Sequence, residues 1–289
     1  MKILNIGSLN LDHVYNVDHI VAGGETQSSK SLRAYCGGKG LNQSIALARA
    51  GAFVFHGGLI GSDGEALLDM CRENGIDTTY IRQIDGRSGH TVIQVDKQGQ
   101  NSILLYGGAN HQFTEAYIDD ILKNFGEGDI LLLQNEINFV DYIVEQAFLR
   151  GIKIILNPSP MNEALKKADL TKVSLFIMNE IEGEQITGEK EAGKILARAK
   201  ALFPKARLVL TLGKKGSVYT YGNEELWQKA YPANAVDTTA AGDTFTGYFI
   251  AGMTRGLDAK ASLDLAAKAS ALAVGRRGAA PSIPWLREV

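Results

Sequence analysis

Cysteine is nearly absent. Cys36 and Cys71 are the only two among 289 residues, and they form neither a C-x-x-C pair nor a Cys/His metal spacing. That excludes a disulfide scaffold and a zinc site, and leaves two buried thiols in a reducing cytosol as the expectation. Proline is scarce, at 6 residues, and with 45% hydrophobic and 21% charged residues this excludes collagen-like and disordered chains. No apolar run approaches the ~18 residues of a membrane span, and the opening stretch reaches Asp12 before a signal-peptide core could form. A cytoplasmic protein with no membrane partner is expected. Charge of one sign is missing too: 30 Lys and Arg against 32 Asp and Glu leave a net charge of −2, so no basic field draws nucleic acid. Any anion must be held by a local site.

Glycine, by contrast, is abundant. The chain has 32 in 289 residues against an average near 7%, which implies tight turns or close approach of backbone to ligand. Short apolar runs alternate with helical patterns. Ile3 to Gly7, Phe53 to Leu59, Ile130 to Leu133, Lys153 to Asn157, Leu175 to Met178 and Leu208 to Leu212 read as strands. Leu41 to Ala50, Gly64 to Asn74, Val140 to Arg150 and Ala192 to Phe203 read as helices, with two more after Gly242. This βαβ rhythm predicts an α/β fold with a predominantly parallel sheet and helices on both faces. Residues 12–35 and 88–106 break it with polar-apolar alternation, and predict a small β-sheet lid inserted in a single body spanning 1–289.

Neither a G-x-x-x-x-G-K-[ST] loop nor a G-x-G-x-x-G fingerprint occurs, which disfavours P-loop and dinucleotide-binding folds. Three other segments carry chemistry. In Asp237-Thr238-Thr239-Ala240-Ala241-Gly242-Asp243, small residues precede a helix, so the free amides of Ala241, Gly242 and Asp243 can converge on an anion. Asp243 at the rim can take a proton from an attacking hydroxyl; taken alone it also reads as a first-turn helix acid. In Cys36-Gly37-Gly38-Lys39-Gly40-Leu41-Asn42-Gln43 the glycines let a ligand lie against the backbone, and Asn42 offers a donor and an acceptor to sugar hydroxyls. In Gly7-Ser8-Leu9-Asn10-Leu11-Asp12, Asn10 and Asp12 share one strand parity beyond the first strand; an Asx turn would look the same. Glu136, Asn157, Asn179 and Thr211 follow or close further strands, and together map a cleft along one edge of the sheet.

With these residues in view, Gly37-Gly38-Lys39-Gly40-x-Asn42-Gln43 and Asp237-Thr238-x-Ala240-Ala241-Gly242-Asp243-Thr244-Phe245 resemble the two signatures of the ribokinase family of carbohydrate kinases (PfkB type). Gly24-Glu25-Thr26, Asn157-Pro158-x-Pro160, Asn179-Glu180-x-Glu182, Thr211-Leu212-Gly213 and Gly278-Ala279-x-Pro281-Ser282 follow in the family's order, so the resemblance covers essentially the whole chain. Lys39 and Gln43 set the first signature apart from that of family fructokinases and adenosine kinases. The resemblance implies ATP-dependent phosphorylation of a small neutral sugar, D-ribose at its 5-hydroxyl first. Deoxyribose or a nucleoside is the alternative, and a non-catalytic sugar-binding regulator a remote one. It implies Asp243 as base, with the Ala241, Gly242 and Asp243 amides on the transferring phosphoryl group. Asn10, Asp12, Gly38, Lys39, Gly40, Asn42 and Glu136 would hold the sugar. Asn179, Thr211, Leu212, Gly213, Lys214, Lys215, Gly216 and Gly242 would hold ATP. Glu182 would order the water shell of Mg2+, and Asp237, Thr239, Ala273, Arg276, Gly278 and Ser282 would bind K+, mostly through carbonyls. Thr239 departs from the Ile or Val of near relatives, Ala22-Gly23-Gly24 lacks a proline, and the family's last helical turns do not follow Trp285; none of these touches the chemistry.

A homodimer through the lid is also expected. Val14, Val17, Ile93, Val95, Ile103 and Leu105 give its outer face an apolar character that a sheet without a backing helix cannot bury alone. The same alternation could instead turn them over the chain's own cleft.

Overall fold

The computed structural model describes residues 1–289. Thirteen strands and eight α-helices follow one another in the chain. Strands β1 (Ile3–Ile6), β2 (Asn10–Asn16) and β3 (Ser31–Gly37) lead to α1 (Lys39–Arg49), β4 (Val54–Ile60), α2 (Glu65–Glu73), β5 (Asp77–Gln83), β6 (Gly89–Val95) and β7 (Asn101–Tyr106). Then come α3 (Glu115–Leu122), β8 (Ile130–Gln134), α4 (Val140–Leu149), β9 (Lys153–Asn157), β10 (Leu175–Asn179), α5 (Glu180–Thr187), α6 (Ala192–Leu202) and β11 (Arg207–Thr211). Strands β12 (Ser217–Tyr221) and β13 (Glu224–Gln228) and helices α7 (Ala241–Thr254) and α8 (Ala259–Val274) complete the order.

Nine strands form one sheet in the order β13-β12-β11-β10-β9-β8-β1-β4-β5. It is parallel from β11 to β5, and the β12–β13 hairpin adds two antiparallel strands at one edge. Successive side chains of a strand point to opposite faces, and the core divides accordingly. Leu4, Leu131, Leu133, Ile154, Phe176 and Leu208 pack with α3, α4 and α6 on one side. Ile3, Ile130, Leu132, Ile155, Ile177 and Val209 pack with α1, α2, α7 and α8 on the other. Strands buried on both faces need uninterrupted apolar runs, which is what Ile130-Leu131-Leu132-Leu133 provides. No helix is long and apolar enough to cross a membrane.

The second sheet has four strands, β3-β2-β6-β7, and begins at Asn10 rather than Asp12. Registry across it aligns Val14, Ile93 and Ile103. Ile93, Ile103 and Leu105 line the cleft below, so the apolar face expected outside is turned over the chain's own site. Val17, grouped with them from the sequence, is buried, its amide bonded to Val95 O at 3.0 Å. Cys71 is buried as expected, but Cys36 at the end of β3 is only half-buried.

Candidate active site

The site forms where β1 hands over to β2 and where α1 and α7 begin. α1 enters on Gly38, whose φ of 94° a side chain would resist. Two residues on, a Cβ at Gly40 would stand 2.3 Å from Ser8 N, so only glycine lets the helix pack against the chain leaving β1. The Gly40 amide donates to Ser8 Oγ at 3.2 Å. The Ser8 hydroxyl donates to Glu136 Oε2 at 2.5 Å, and the Lys39 amide donates to the same oxygen at 2.9 Å. Glu136 is thereby pinned beside the start of α1. On the lid, Asp12 Oδ1 accepts from the Thr91 hydroxyl at 2.6 Å, and Asn10 Oδ1 accepts from Asn110 Nδ2 at 2.7 Å.

α7 begins after Ala240, which holds a left-handed φ of 60° as its N-cap. The amides of Gly242 and Asp243 have no partner, whereas that of Ala241 donates to Thr238 O at 3.3 Å. Of the three amides expected to converge on an anion, two are therefore free. Asp243 is buried in the first turn, with Oδ1 accepting from Gln43 Nε2 at 2.8 Å and Oδ2 from Asn42 Nδ2 at 3.1 Å.

Two cavities meet at this helix start. The first, about 470 Å3, is lined by Asn10, Asp12, Gly38, Lys39, Asn42, Glu136 and Asp243, with Asn179 and Glu182 at another wall. The second, about 630 Å3, is lined by Thr211, Gly213, Lys214 and Gly216 and by apolar groups including Tyr231, Phe245 and Val274. Thr211, Thr238 and Gly242 border both. The free amides thus stand between two compartments.

Other expected residues fall elsewhere. Gly40 lines neither cavity; it is a packing glycine. Leu212 is buried in the core, in one cluster with Leu210 and Val218. Lys215 lines neither cavity and reaches towards Glu180 at 4.0 Å. Asn179 and Glu182 line the first cavity, not the second. They also form a reciprocal capping box on α5: Glu182 N donates to Asn179 Oδ1 and Asn179 N to Glu182 Oε2, both at 2.9 Å.

The first cavity is acidic. Asp12, Glu136, Glu182 and Asp243 face it, and Lys39 is its one cation. Burial pushes the carboxyl pKa of Glu136 up against the opposing pull of Lys39 and of the Ser8 hydroxyl. Burial likewise raises Asp12 against its hydrogen bond from Thr91. Burial works against charge on Lys39, but Asp243, Glu136 and Glu182 outweigh it and hold its pKa up. Asn42 Oδ1 is buried with no partner, an acceptor left for a donor that the protein does not supply.

Behind α7, Asp237 ties two loops together. Its Oδ1 accepts from Thr239 N at 2.9 Å and from the Thr239 hydroxyl at 2.6 Å, and its Oδ2 accepts from Gly278 N at 2.9 Å. The carbonyls of Asp237, Thr239, Arg276 and Gly278 accept no hydrogen bond, while Ala273 O accepts from Arg276 N at 3.0 Å. The Ser282 hydroxyl donates to Ala279 O at 2.7 Å. Four of the expected carbonyls therefore accept no hydrogen bond, Ala273 O is already engaged, and the donating Ser282 hydroxyl keeps its oxygen lone pairs.

Residues 1–286 match the family described as pfkB family carbohydrate kinase. The chain belongs to that family. The ribokinase of Bacillus subtilis is 36% identical over 292 residues, covering 100% of this chain and 98% of the relative. A deoxyribokinase of Salmonella typhimurium is 30% identical, covering 100% and 97%. The structure of Arabidopsis thaliana ribokinase complexed with ribose and ATP superposes with a TM-score of 0.87 at 29% identity, covering 99% of this chain and 96% of that one. As a pfkB-family kinase, the chain has side chains at its site that the sequence did not single out. Thr91 and Asn110 hold Asp12 and Asn10, and Gln43 holds Asp243. Gln43 alone left a signal, its place beside Asn42 in the glycine-rich segment.

Proposed function

We propose that this carbohydrate kinase transfers the γ-phosphoryl group of ATP to the 5-hydroxyl of D-ribose. The observation that carries the reading is Asp243: a buried carboxylate, bonded by amide donors on both oxygens, where the two cavities meet beside two free amides. Amide N–H groups can only donate, so Asp243 is left as an acceptor ready to take the hydroxyl proton as the oxygen attacks phosphorus. The Gly242 and Asp243 amides and the Lys39 ammonium oppose the charge carried by the transferring phosphoryl oxygens. Asp12, Glu136 and the unpartnered Asn42 Oδ1 accept from sugar hydroxyls, and Asn10 supplies a donor. Four carboxylates against one lysine repel a substrate that already carries phosphate. The apolar lining of the second cavity suits a purine ring, with Lys214 near the phosphates.

Mg2+ fits the Glu182 wall. Each carboxylate oxygen there accepts one N–H from Asn179 and keeps lone pairs for metal-bound water, and the ion would neutralise phosphate charge. K+ fits the four free carbonyls of the Asp237 and Gly278 loops, which can replace the hydration of a large monovalent ion and order the start of α7. Exchanging Na+ for K+ at constant ionic strength is expected to raise the rate; an unchanged rate rejects that site. The two free thiols favour a reducing cytoplasm, which cell fractionation checks.

Release of ADP measured over ribose, 2-deoxyribose, fructose, fructose 6-phosphate, adenosine and pseudouridine tests the substrate. Ribose is expected to lead, and preference for the phosphorylated sugar overturns the reading of the cavity. Asp243→Asn is expected to lower kcat by about 10²- to 10⁴-fold while ribose still binds by calorimetry. Turnover at the wild-type level in that variant would put the base elsewhere.

A further inference from the structure

Behind Asp243 runs a chain of buried amides that the proposed reaction does not use; of its members only Asn157 reaches the first cavity. Gln43 is buried and lines neither cavity. Its Nε2 donates to Asp243 Oδ1 at 2.8 Å and to Asn157 Oδ1 at 3.0 Å, and its Oε1 accepts from Gln134 Nε2 at 2.6 Å. Gln134 Nε2 also donates to Asn5 Oδ1 at 3.1 Å, and Asn5 Nδ2 donates to Gly40 O at 2.7 Å and to Ser44 Oγ at 2.8 Å. Asn157 Nδ2 donates to Ile177 O at 2.9 Å.

The two ends of this chain are backbone carbonyls, which only accept. Gly40 O therefore fixes which end of the Asn5 amide is nitrogen, Asn5 fixes Gln134, and Gln134 fixes Gln43. Ile177 O sets Asn157 and, through it, the same end of Gln43. Turning the Gln43 amide over would set its oxygen against the Asp243 carboxylate and Asn157 Oδ1, and its nitrogen against the Gln134 nitrogen, three contacts between like groups. In a buried setting each such mismatch is costly.

We propose that Gln43 and Gln134 are positioning residues for phosphoryl transfer: anchored at Gly40 and Ile177, they hold an N–H donor on Asp243 Oδ1 and keep the carboxylate in one orientation towards the acceptor hydroxyl. The inference rests on the reading of Asp243 as the base. A base displaced by about 1 Å can cost 10²-fold in rate without loss of substrate affinity, and the proposal separates those two quantities.

The experiment measures kcat, ribose KM and Tm for Gln43→Met, Gln134→Met, their double variant, and Gln43→Met combined with Asp243→Asn. Gln43→Met is expected to lower kcat by about 10- to 100-fold with ribose KM within about threefold of wild type. Gln134→Met loses about two- to tenfold in kcat in the same way. Because Gln134 acts through Gln43, the double variant matches Gln43→Met, and Gln43→Met adds no loss to Asp243→Asn. A lowered Tm with kcat intact, a rise in KM in place of the fall in kcat, or losses that multiply in the double variant would overturn the positioning role. Loss in Asp243→Asn with none in Gln43→Met overturns the role alone, whereas wild-type turnover in Asp243→Asn overturns the base assignment beneath it. If Gln43→Met does not fold, Gln43→Glu keeps the shape and the bond from Gln134 while replacing the donor towards Asp243, and the same kcat loss is expected.

Discussion

Glu136 sets stability against use. Burial raises its carboxyl pKa in the folded chain, and Asp243 adds to the rise against Lys39 and the Ser8 hydroxyl. A raised folded pKa means that the folded state holds the proton more tightly than the unfolded one. The ionised group therefore costs stability above that pKa, and the cost is relieved as pH falls through it. Glu136→Gln keeps an oxygen for the Ser8 hydroxyl and the Lys39 amide but carries no charge. Thermal melting is expected to show a gain on the order of 1 kcal/mol at neutral pH, about 2 °C for a chain of this size, that vanishes at low pH, while ribose KM rises. An unchanged Tm at neutral pH would show that the cavity already solvates the carboxylate. Glu136 was legible in the sequence for the reason Asp12, Lys39, Asn42 and Asp243 were: each is a polar residue at a strand end or a glycine-flanked helix start. Gly40 and Leu212 misled because adjacency in a motif does not say which neighbour faces the ligand and which packs. Gln43 was visible as part of the glycine-rich segment but its contact with Asp243 was not, since its partners Gln134, Asn157 and Asp243 lie 91, 114 and 200 positions away.

At the scale of elements, the parallel strands were readable because burial on both faces demands unbroken apolar runs, as in β8 and β9. The β12–β13 hairpin was missed. Its outer strand β13 is largely exposed while β12 is buried from Ser217 to Thr220, so Ser217 to Gln228 mixes Glu and Gln with Tyr, Leu and Trp, and only the Gly222-Asn223 turn marked it. α3 and α5 were missed for a related reason, being eight residues each, too short for a clear helical period. Their caps were nonetheless written out, Thr114 accepting from Tyr117 N and Asn179 in its box with Glu182. That box gives Glu182 two separable duties. Glu182→Gln preserves the box, since glutamine completes it as well, and removes the charge facing the cavity. Its Tm is expected to stay near wild type while the Mg2+ concentration needed for half-maximal rate rises. Glu182→Ala is expected to lose both, with about 1 kcal/mol of stability gone with the cap. Equal Mg2+ dependence in wild type and Glu182→Gln would leave Glu182 with the cap alone.

For the whole molecule, the lid sheet is the part whose surface the single chain does not account for. Every residue of β7 is exposed, and it is an edge strand with unpaired backbone groups on one side. Ile103 and Leu105 line the cleft yet remain 57% and 46% exposed, so one chain covers its own cavity incompletely. Val14 and Val95 share that face without lining the cavity, and a second lid laid against it would bury all of them by a symmetric contact. The proposed homodimer thereby links assembly to sugar binding. Sedimentation at micromolar concentration is expected to give twice the 31.2 kDa chain mass. Val95→Asp puts a charge on the shared face while leaving the cavity lining intact, and is expected to halve that mass and raise ribose KM with Asp243 chemistry preserved at saturating sugar. A wild-type species at the single-chain mass would refute the pairing. A dimer that survives Val95→Asp would move the contact to another face of the molecule, and the exposed side chains of β7 would then have to be explained by closure of the lid over bound sugar.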